Sequence, residues 1–178
     1  MIEDTGTIRA FFAICLPDSI KNEIQQIQKN VHNSWRITGK SQLHLTLAFM
    51  GALPSSKLSE IFSIAKDVSK NFSKFELELT ESSIFPSLKV PRVLVLGVKS
   101  DILIDFANSL LKKLNVFADQ KKFSGHITIA RARDSKPEIQ HLEAKGKWLV
   151  EDFKLFKSEL QPTGPVYTIL EKFDLIQS

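Results

Sequence analysis

The sequence states one four-residue phrase twice, His44-Leu45-Thr46-Leu47 and His126-Ile127-Thr128-Ile129, with the two histidines 82 positions apart. Side chains alternate across a β-strand, so residues two apart share a face. On a strand, each phrase turns an imidazole and a hydroxyl to one side and two aliphatic side chains to the other. One such phrase carries little weight, because His-x-Thr-x arises easily among ordinary residues. Two copies use two of the chain's four histidines. They restrict the fold to one with two equivalent strands, whose aliphatic faces enter a core and whose polar faces meet in a paired site.

The surrounding pattern repeats with the phrase. Ile8–Leu16 is a continuous apolar run of strand length. After Pro17-Asp18, Ile20, Ile24, Ile27 and Val31 recur at helical spacing. Trp35–Thr38 reads as a short extended piece, and the first motif strand runs from about Leu43 to Phe49. Leu58, Ile61, Phe62, Ala65 and Val68 mark a second helix, and Phe75–Leu79 alternates as a half-exposed strand. Val93–Val98 is apolar on both faces and reads as central in a sheet. Ile102–Leu114 is a third amphipathic helix, and the second motif strand spans about Phe123 to Arg131. Pro137–Lys145 is expected to be a short helix, followed by strands over Asp152–Glu159 and Pro165–Leu175. The 82-residue shift also carries Phe11 onto Val93, and Phe75-x-Leu77 is echoed by Phe153-x-Leu155.

The expectation is therefore an α+β fold of two pseudo-symmetric lobes. Each is an antiparallel sheet with helices on its outer face, and the two face each other across a central cleft. Residues 1–178 form one domain built from an internal duplication, a length sufficient for a substantial core.

Composition sets limits on function. Hydrophobic residues make up 43% and charged residues 25%, as in ordinary globular proteins. The net charge of +4 suits an anionic ligand. The single cysteine, Cys15, cannot close an internal disulfide and reads as a buried thiol in a reducing compartment. No apolar stretch reaches the roughly 20 residues of a membrane helix. Glu3 and Asp4 sit where a secretion signal would be basic. The expectation is a cytoplasmic protein without a membrane partner, monomeric in solution.

Two histidines on opposite walls of a cleft suit in-line displacement at phosphorus. One imidazole takes the proton of the attacking oxygen while the other supplies one to the leaving oxygen, both being near their ordinary pKa of about 6.5 at neutral pH. The hydroxyls of Thr46 and Thr128 lie on the same faces and can donate hydrogen bonds to non-bridging phosphate oxygens. A metal site is the competing chemistry, but neither motif strand carries an Asp or Glu. The reading requires no cofactor and no metal.

These residues resemble the two-histidine (2H) phosphoesterase superfamily, and within it the LigT-like RNA 2',3'-cyclic phosphodiesterases of bacteria and archaea. The resemblance runs through Arg9–Ala13, Leu43–Gly51, Phe85-Pro86 with Pro91–Val98, His126–Arg131, and Ser158-x-Leu160-x-Pro162-x-Gly164-x-x-Tyr167. Gly125 stands where that family usually has proline. The resemblance implies hydrolysis of a terminal 2',3'-cyclic phosphate on RNA to a 2'-phosphomonoester, with weak 2'-5' RNA joining as a side activity. It implies His44 as general acid, His126 as general base, and an arginine, Arg131, against the phosphate.

Strict alternation conflicts with that last assignment. It puts Arg131 on the face opposite His126 and Thr128, so the strand must end or bulge before it. The repeat partner of Arg131 is Phe49, either a stacking platform for the terminal base or a core residue. Trp35 and Trp148 read as packing residues, and His32 and His141 as surface residues. Two other functions fit the same motifs. One is a sister enzyme acting on small nucleotides such as ADP-ribose cyclic phosphate or 2'-5' oligoadenylate; the other is an inactive module that binds RNA ends.

Overall fold

The computed structural model describes residues 6–119 and 122–177; Glu3 and Asp4 lie outside the described residues. The elements follow as β1 (Thr7–Cys15), α1 (Asp18–Gln28), β2 (Trp35–Ile37), β3 (His44–Pro54), α2 (Leu58–Ser69), β4 (Phe75–Ser87), β5 (Val90–Lys99), α3 (Leu103–Leu114), β6 (His126–Ala132), β7 (Lys147–Val150), β8 (Asp152–Gln161) and β9 (Gly164–Asp174).

One continuous antiparallel sheet, ordered β7-β4-β5-β6-β3-β1-β8-β9, makes both lobes as its two halves. One half has the strand order β3-β1-β8-β9, and the other β6-β5-β4-β7 with β2 added on β6. The motif strands β3 and β6 lie innermost and touch through the pair Leu45↔Ile127. The expected α+β architecture of two lobes is present, with two differences: the two expected sheets are joined at β3 and β6 into one, and the connectivity is exchanged. β4, from the first half of the chain, pairs with β5, and β8, from the second half, pairs with β1. The first half thus lends β4 to the other lobe, and the second half lends β8 with its hairpin partner β9. Hairpins explain one side of this exchange: only Leu88 and Lys89 separate β4 from β5, so these strands must be antiparallel neighbours.

The helices bury the stripes their spacing announced. Ile20, Ile24 and Ile27 are buried on α1, Ile61, Ala65 and Val68 on α2, and Leu103, Phe106, Leu110 and Leu114 on α3. They cross between lobes: α1 packs on β6, and α3 on β3. Phe106 of α3 meets Phe75 of β4 at 5.7 Å and Phe153 of β8 at 5.1 Å, so it packs against both exchanged strands. Leu45, Leu47, Ile127 and Ile129 join the same continuous core. α3 ends at Asn115, which takes φ 47° and ψ −111° and donates its backbone N–H to Leu111 O.

Residues 137–146 contain no helix, contrary to the sequence expectation. Their polar groups are satisfied by distant partners instead. Trp35 Nε1 donates to Glu138 O at 2.7 Å, Leu142 N donates to Ser82 Oγ at 2.8 Å, and Gln140 Nε2 donates to Asn30 O at 3.0 Å. With Ile139 49% exposed, the segment lacks the apolar stripe that would hold a helix down. β7, which the sequence reading does not separate from its surroundings, follows at once and buries Trp148 and Val150. Both tryptophans are core residues. Both surface histidines lie beside carboxylates, His32 at 3.3 Å from Glu138 and His141 at 3.7 Å from Glu81. Cys15 is half-buried rather than buried.

Candidate active site

Each motif strand breaks its alternation directly after its histidine and threonine, and β3 slips a second time between Met50 and Leu53. In β3, Ala13 pairs with Thr46 and Phe12 with Ala48, so Leu47 is an extra residue opposite β1. In β6, Val95 pairs with Thr128 and Leu94 with Ala130, so Ile129 is extra opposite β5. The burial patterns record the slip: Leu47 and Ala48 are buried in succession, and so are Ile129 and Ala130. A one-residue bulge returns the following side chain to the face it would otherwise have left. Phe49 and Arg131 consequently line the same cleft as His44, Thr46, His126 and Thr128. The bulge that the arginine required is present, and it is present twice, at equivalent positions of the two motifs.

A buried amide anchors the second bulge. Gln28, on α1, donates through Nε2 to Ile129 O at 2.9 Å and to Thr38 O at 2.9 Å. Thr38 N donates to the same Ile129 carbonyl at 2.9 Å. The extra residue that turns Arg131 into the cleft is thus held from an element 101 positions away in the chain.

Both imidazoles are oriented in the same way. His44 Nδ1 lies 2.6 Å from Gln42 O, and His126 Nδ1 lies 2.8 Å from Ser124 O. A carbonyl only accepts, so Nδ1 carries the hydrogen in each ring, and Nε2 is the nitrogen left to exchange a proton. Nε2 of His44 is 3.0 Å from Thr46 Oγ1, and that hydroxyl donates to it while the ring is neutral. Aromatic rings fix the planes. Phe11 lies at 5.0 Å from the His44 ring and Tyr167 edge-on at 5.3 Å, and Phe85 stacks on His126 at 4.8 Å. Gly125, the departure from the family pattern, is closely surrounded: a Cβ there would meet Val98 at 3.1 Å and Leu103 and Phe123 at 3.2 Å.

Burial holds the pKa of both histidines below its ordinary value. For His44, burial outweighs the Gln42 carbonyl, which favours the imidazolium, and the positive charges of Arg131 and His126 add to the depression. For His126, burial again dominates over the Ser124 carbonyl. Burial pushes the Tyr167 hydroxyl up, and Arg131 opposes that shift. Arg131 therefore lies near enough to bias both His44 and Tyr167.

The cleft has a volume of about 900 Å³, and among the described residues no carboxylate lines it. Arg9, Arg36 and Arg131 do, and the Arg9 guanidinium sits over the Phe49 ring at 5.4 Å. The β8–β9 hairpin forms one lip, where Gly164 takes φ +120° and Pro165 O accepts from Gln42 Nε2 at 3.1 Å. Sequence reasoning did not find Phe85, Gln28 or Gln42 as supports of the site. Among the described residues, no three His, Cys, Asp or Glu side chains gather as metal ligands. The arrangement offers two proton carriers, two hydroxyls and cationic walls to an anion.

A family model described as LigT like Phosphoesterase matches residues 14–95. The chain is 30% identical to a Thermus thermophilus protein named RNA 2',3'-cyclic phosphodiesterase, over 94% of this chain and 90% of that one. It is 32% identical to an Archaeoglobus fulgidus protein of the same name, over 94% and 100%. A crystal structure of a Thermus thermophilus protein superposes with a TM-score of 0.88 at 30% identity, covering 96% of this chain and 99% of that one. Escherichia coli LigT complexed with 3'-AMP superposes at 0.81 with 28% identity, covering 96% and 99%.

Proposed function

The chain belongs to the LigT-like phosphoesterase family, and from that premise we propose that it hydrolyses the terminal 2',3'-cyclic phosphate of RNA to a 2'-phosphomonoester. The observation that carries this reading is the pair of Nδ1-anchored histidines in one cationic cleft. A water oxygen attacks phosphorus, and its proton passes to Nε2 of His126. The bond from phosphorus to the ribose 3' oxygen breaks as Nε2 of His44 protonates that oxygen. The hydroxyls of Thr46 and Thr128 and the guanidinium of Arg131 bind the non-bridging oxygens as charge grows there. Phe49 offers a face to the terminal base. The assignment of acid and base rests on the family likeness, because two similarly anchored rings leave the direction open.

The decisive experiment is product analysis of an oligoribonucleotide ending in a 2',3'-cyclic phosphate. The expected product is the 2'-phosphomonoester alone, formed equally well in excess EDTA. A 3'-phosphate product would overturn the bond assignment. Loss of activity in EDTA, restored by Mg²⁺ or Zn²⁺, would overturn catalysis by side chains alone.

The histidine environments also set the pH dependence. Reaction needs one imidazole neutral and the other protonated, so the profile is expected to be a bell. Both pKa values are lowered in the free protein. The bell in kcat/KM should therefore centre below about pH 6.5, the ordinary histidine value. A bound phosphodiester anion stabilises the imidazolium, so the bell in kcat should lie at higher pH. A rate that climbs steadily into alkaline solution would indicate hydroxide attack instead.

We also read residues 1–178 as a single domain grown from a duplicated unit, acting as a monomer in the cytoplasm. The mirrored strand order and the two equivalent bulges support the duplication. No helix among the described residues is long and apolar enough to cross a membrane.

A further inference from the structure

All five arginines of the chain are Arg9, Arg36, Arg92, Arg131 and Arg133, and four of them line one of two adjoining hollows. The first hollow is the cleft. The second, about 550 Å³, opens beside it and shares Arg36 and Arg131 as a common wall. Arg36 of β2 lies directly across from Arg131 of β6 in the sheet, and Val93 of β5 is opposite Arg131 on the other side. The far wall is the start of β5 and the preceding turn, which contribute Arg92 and Lys89. Asp134 is the one carboxylate lining this hollow among the described residues.

The hollow gathers four cationic side chains against one carboxylate. Some lysines outside it sit against carboxylates, as Lys57 does at 2.9 Å from Glu60, Lys74 at 2.6 Å from Glu151, Lys154 at 2.9 Å from Asp152, and Lys172 at 2.8 Å from Asp174. Among the described residues, none of Arg36, Lys89, Arg92 and Arg131 forms an ion pair. All four are exposed. Arginine also presents a planar fork that matches phosphate, and is less strongly hydrated than an ammonium group.

We propose that this second hollow binds the phosphodiester backbone just 5' of the reacting end, so that the enzyme selects polynucleotides over cyclic mononucleotides. The inference rests on the function proposed above and adds a direction to it. The chain leaves the cleft over Arg36 and Arg131 and runs toward the β4–β5 turn. It does not leave over the β8–β9 lip, where Leu160, Pro162, Thr163 and Gly164 offer no cation.

The test compares a 2',3'-cyclic mononucleotide with a four-nucleotide RNA ending in the same cyclic nucleotide, for the full chain and for Lys89→Ala/Arg92→Ala. The wild type is expected to show a KM for the oligonucleotide at least about tenfold below that for the mononucleotide, with similar kcat, since each charge-assisted phosphate contact contributes on that scale. The double variant should raise the oligonucleotide KM toward the mononucleotide value, flatten its salt dependence by about one unit per lost contact, and leave mononucleotide kinetics unchanged. Equal KM values for both substrates in the wild type would overturn the proposal, as would a double variant with unaltered oligonucleotide KM. If neither substrate were hydrolysed, the proposed function would fall. Fluorescence anisotropy with the 2'-phosphate-ended oligonucleotide would then judge the hollow by itself, by whether the double variant binds about tenfold more weakly. Arg92→Gln alone, which keeps the side chain's bulk, should give part of the same KM change at unaltered melting temperature.

Discussion

Arg131→Ala is expected to lower kcat/KM on a cyclic-phosphate-ended RNA by about 10²–10³-fold, the scale of removing one preorganised donor to a developing oxyanion. Melting temperature should hardly move, because the side chain is exposed and makes no ion pair among the described residues. Arg131→Lys should recover only part of the loss, since an ammonium replaces a bidentate fork by a point charge. The expectation depends on the bulge at Ile129, which alone brings residue 131 to the face of His126 and Thr128. Gln28→Leu, which removes the amide holding the Ile129 carbonyl, should therefore reduce kcat/KM in the wild-type background. In the Arg131→Ala background it should cost little more. An equal loss in both backgrounds would mean that Gln28 acts only on stability. Retention of wild-type rate by Arg131→Ala would remove the guanidinium from the phosphate altogether.

The two bulges also mark where the sequence can be read and where it cannot. His44, Thr46, His126 and Thr128 follow from simple alternation, because period two holds up to Leu47 and Ile129. Beyond those residues alternation gives the wrong face for Arg131, and only the family likeness opposes it. A local signal exists: Leu47-Ala48 and Ile129-Ala130 are paired apolar residues where a half-exposed strand should alternate, and both pairs are buried. The exchange of β4 and β8 between lobes leaves no such trace, since hydrophobic period fixes which face of a strand is buried and not which strand it pairs with. The same holds for Phe85 against His126 and Tyr167 against His44, contacts between residues far apart in the chain. The segment 137–146 misleads for a related reason. Its backbone is satisfied by Trp35, Ser82 and Asn30, partners that no local pattern reveals.

The two histidines, alike in their anchoring, should separate by leaving group. A general acid matters most when the departing oxygen is a poor leaving group, as the ribose 3' oxygen is. p-Nitrophenolate leaves with little help from a proton, whereas the base that deprotonates water is needed in both reactions. His44→Ala is therefore expected to lose about 10²–10⁴-fold against the cyclic phosphate, the usual contribution of acid–base catalysis. Much of that loss should return on a p-nitrophenyl phosphodiester, while His126→Ala stays impaired on both substrates. The free protein's electrostatics weigh against this division, and the substrate's charge has to reverse them. Arg131 and His126 both oppose a proton on His44 in the free protein, so His44 can serve as the acid once a phosphodiester anion offsets that charge. The alkaline limb of the kcat profile should accordingly disappear in His44→Ala on the activated substrate, leaving a single limb from the base. Both variants should remain folded and still bind a 2'-phosphate product. If His126→Ala were the variant rescued by the better leaving group, the roles would be reversed, with proton donation passing to the ring stacked on Phe85.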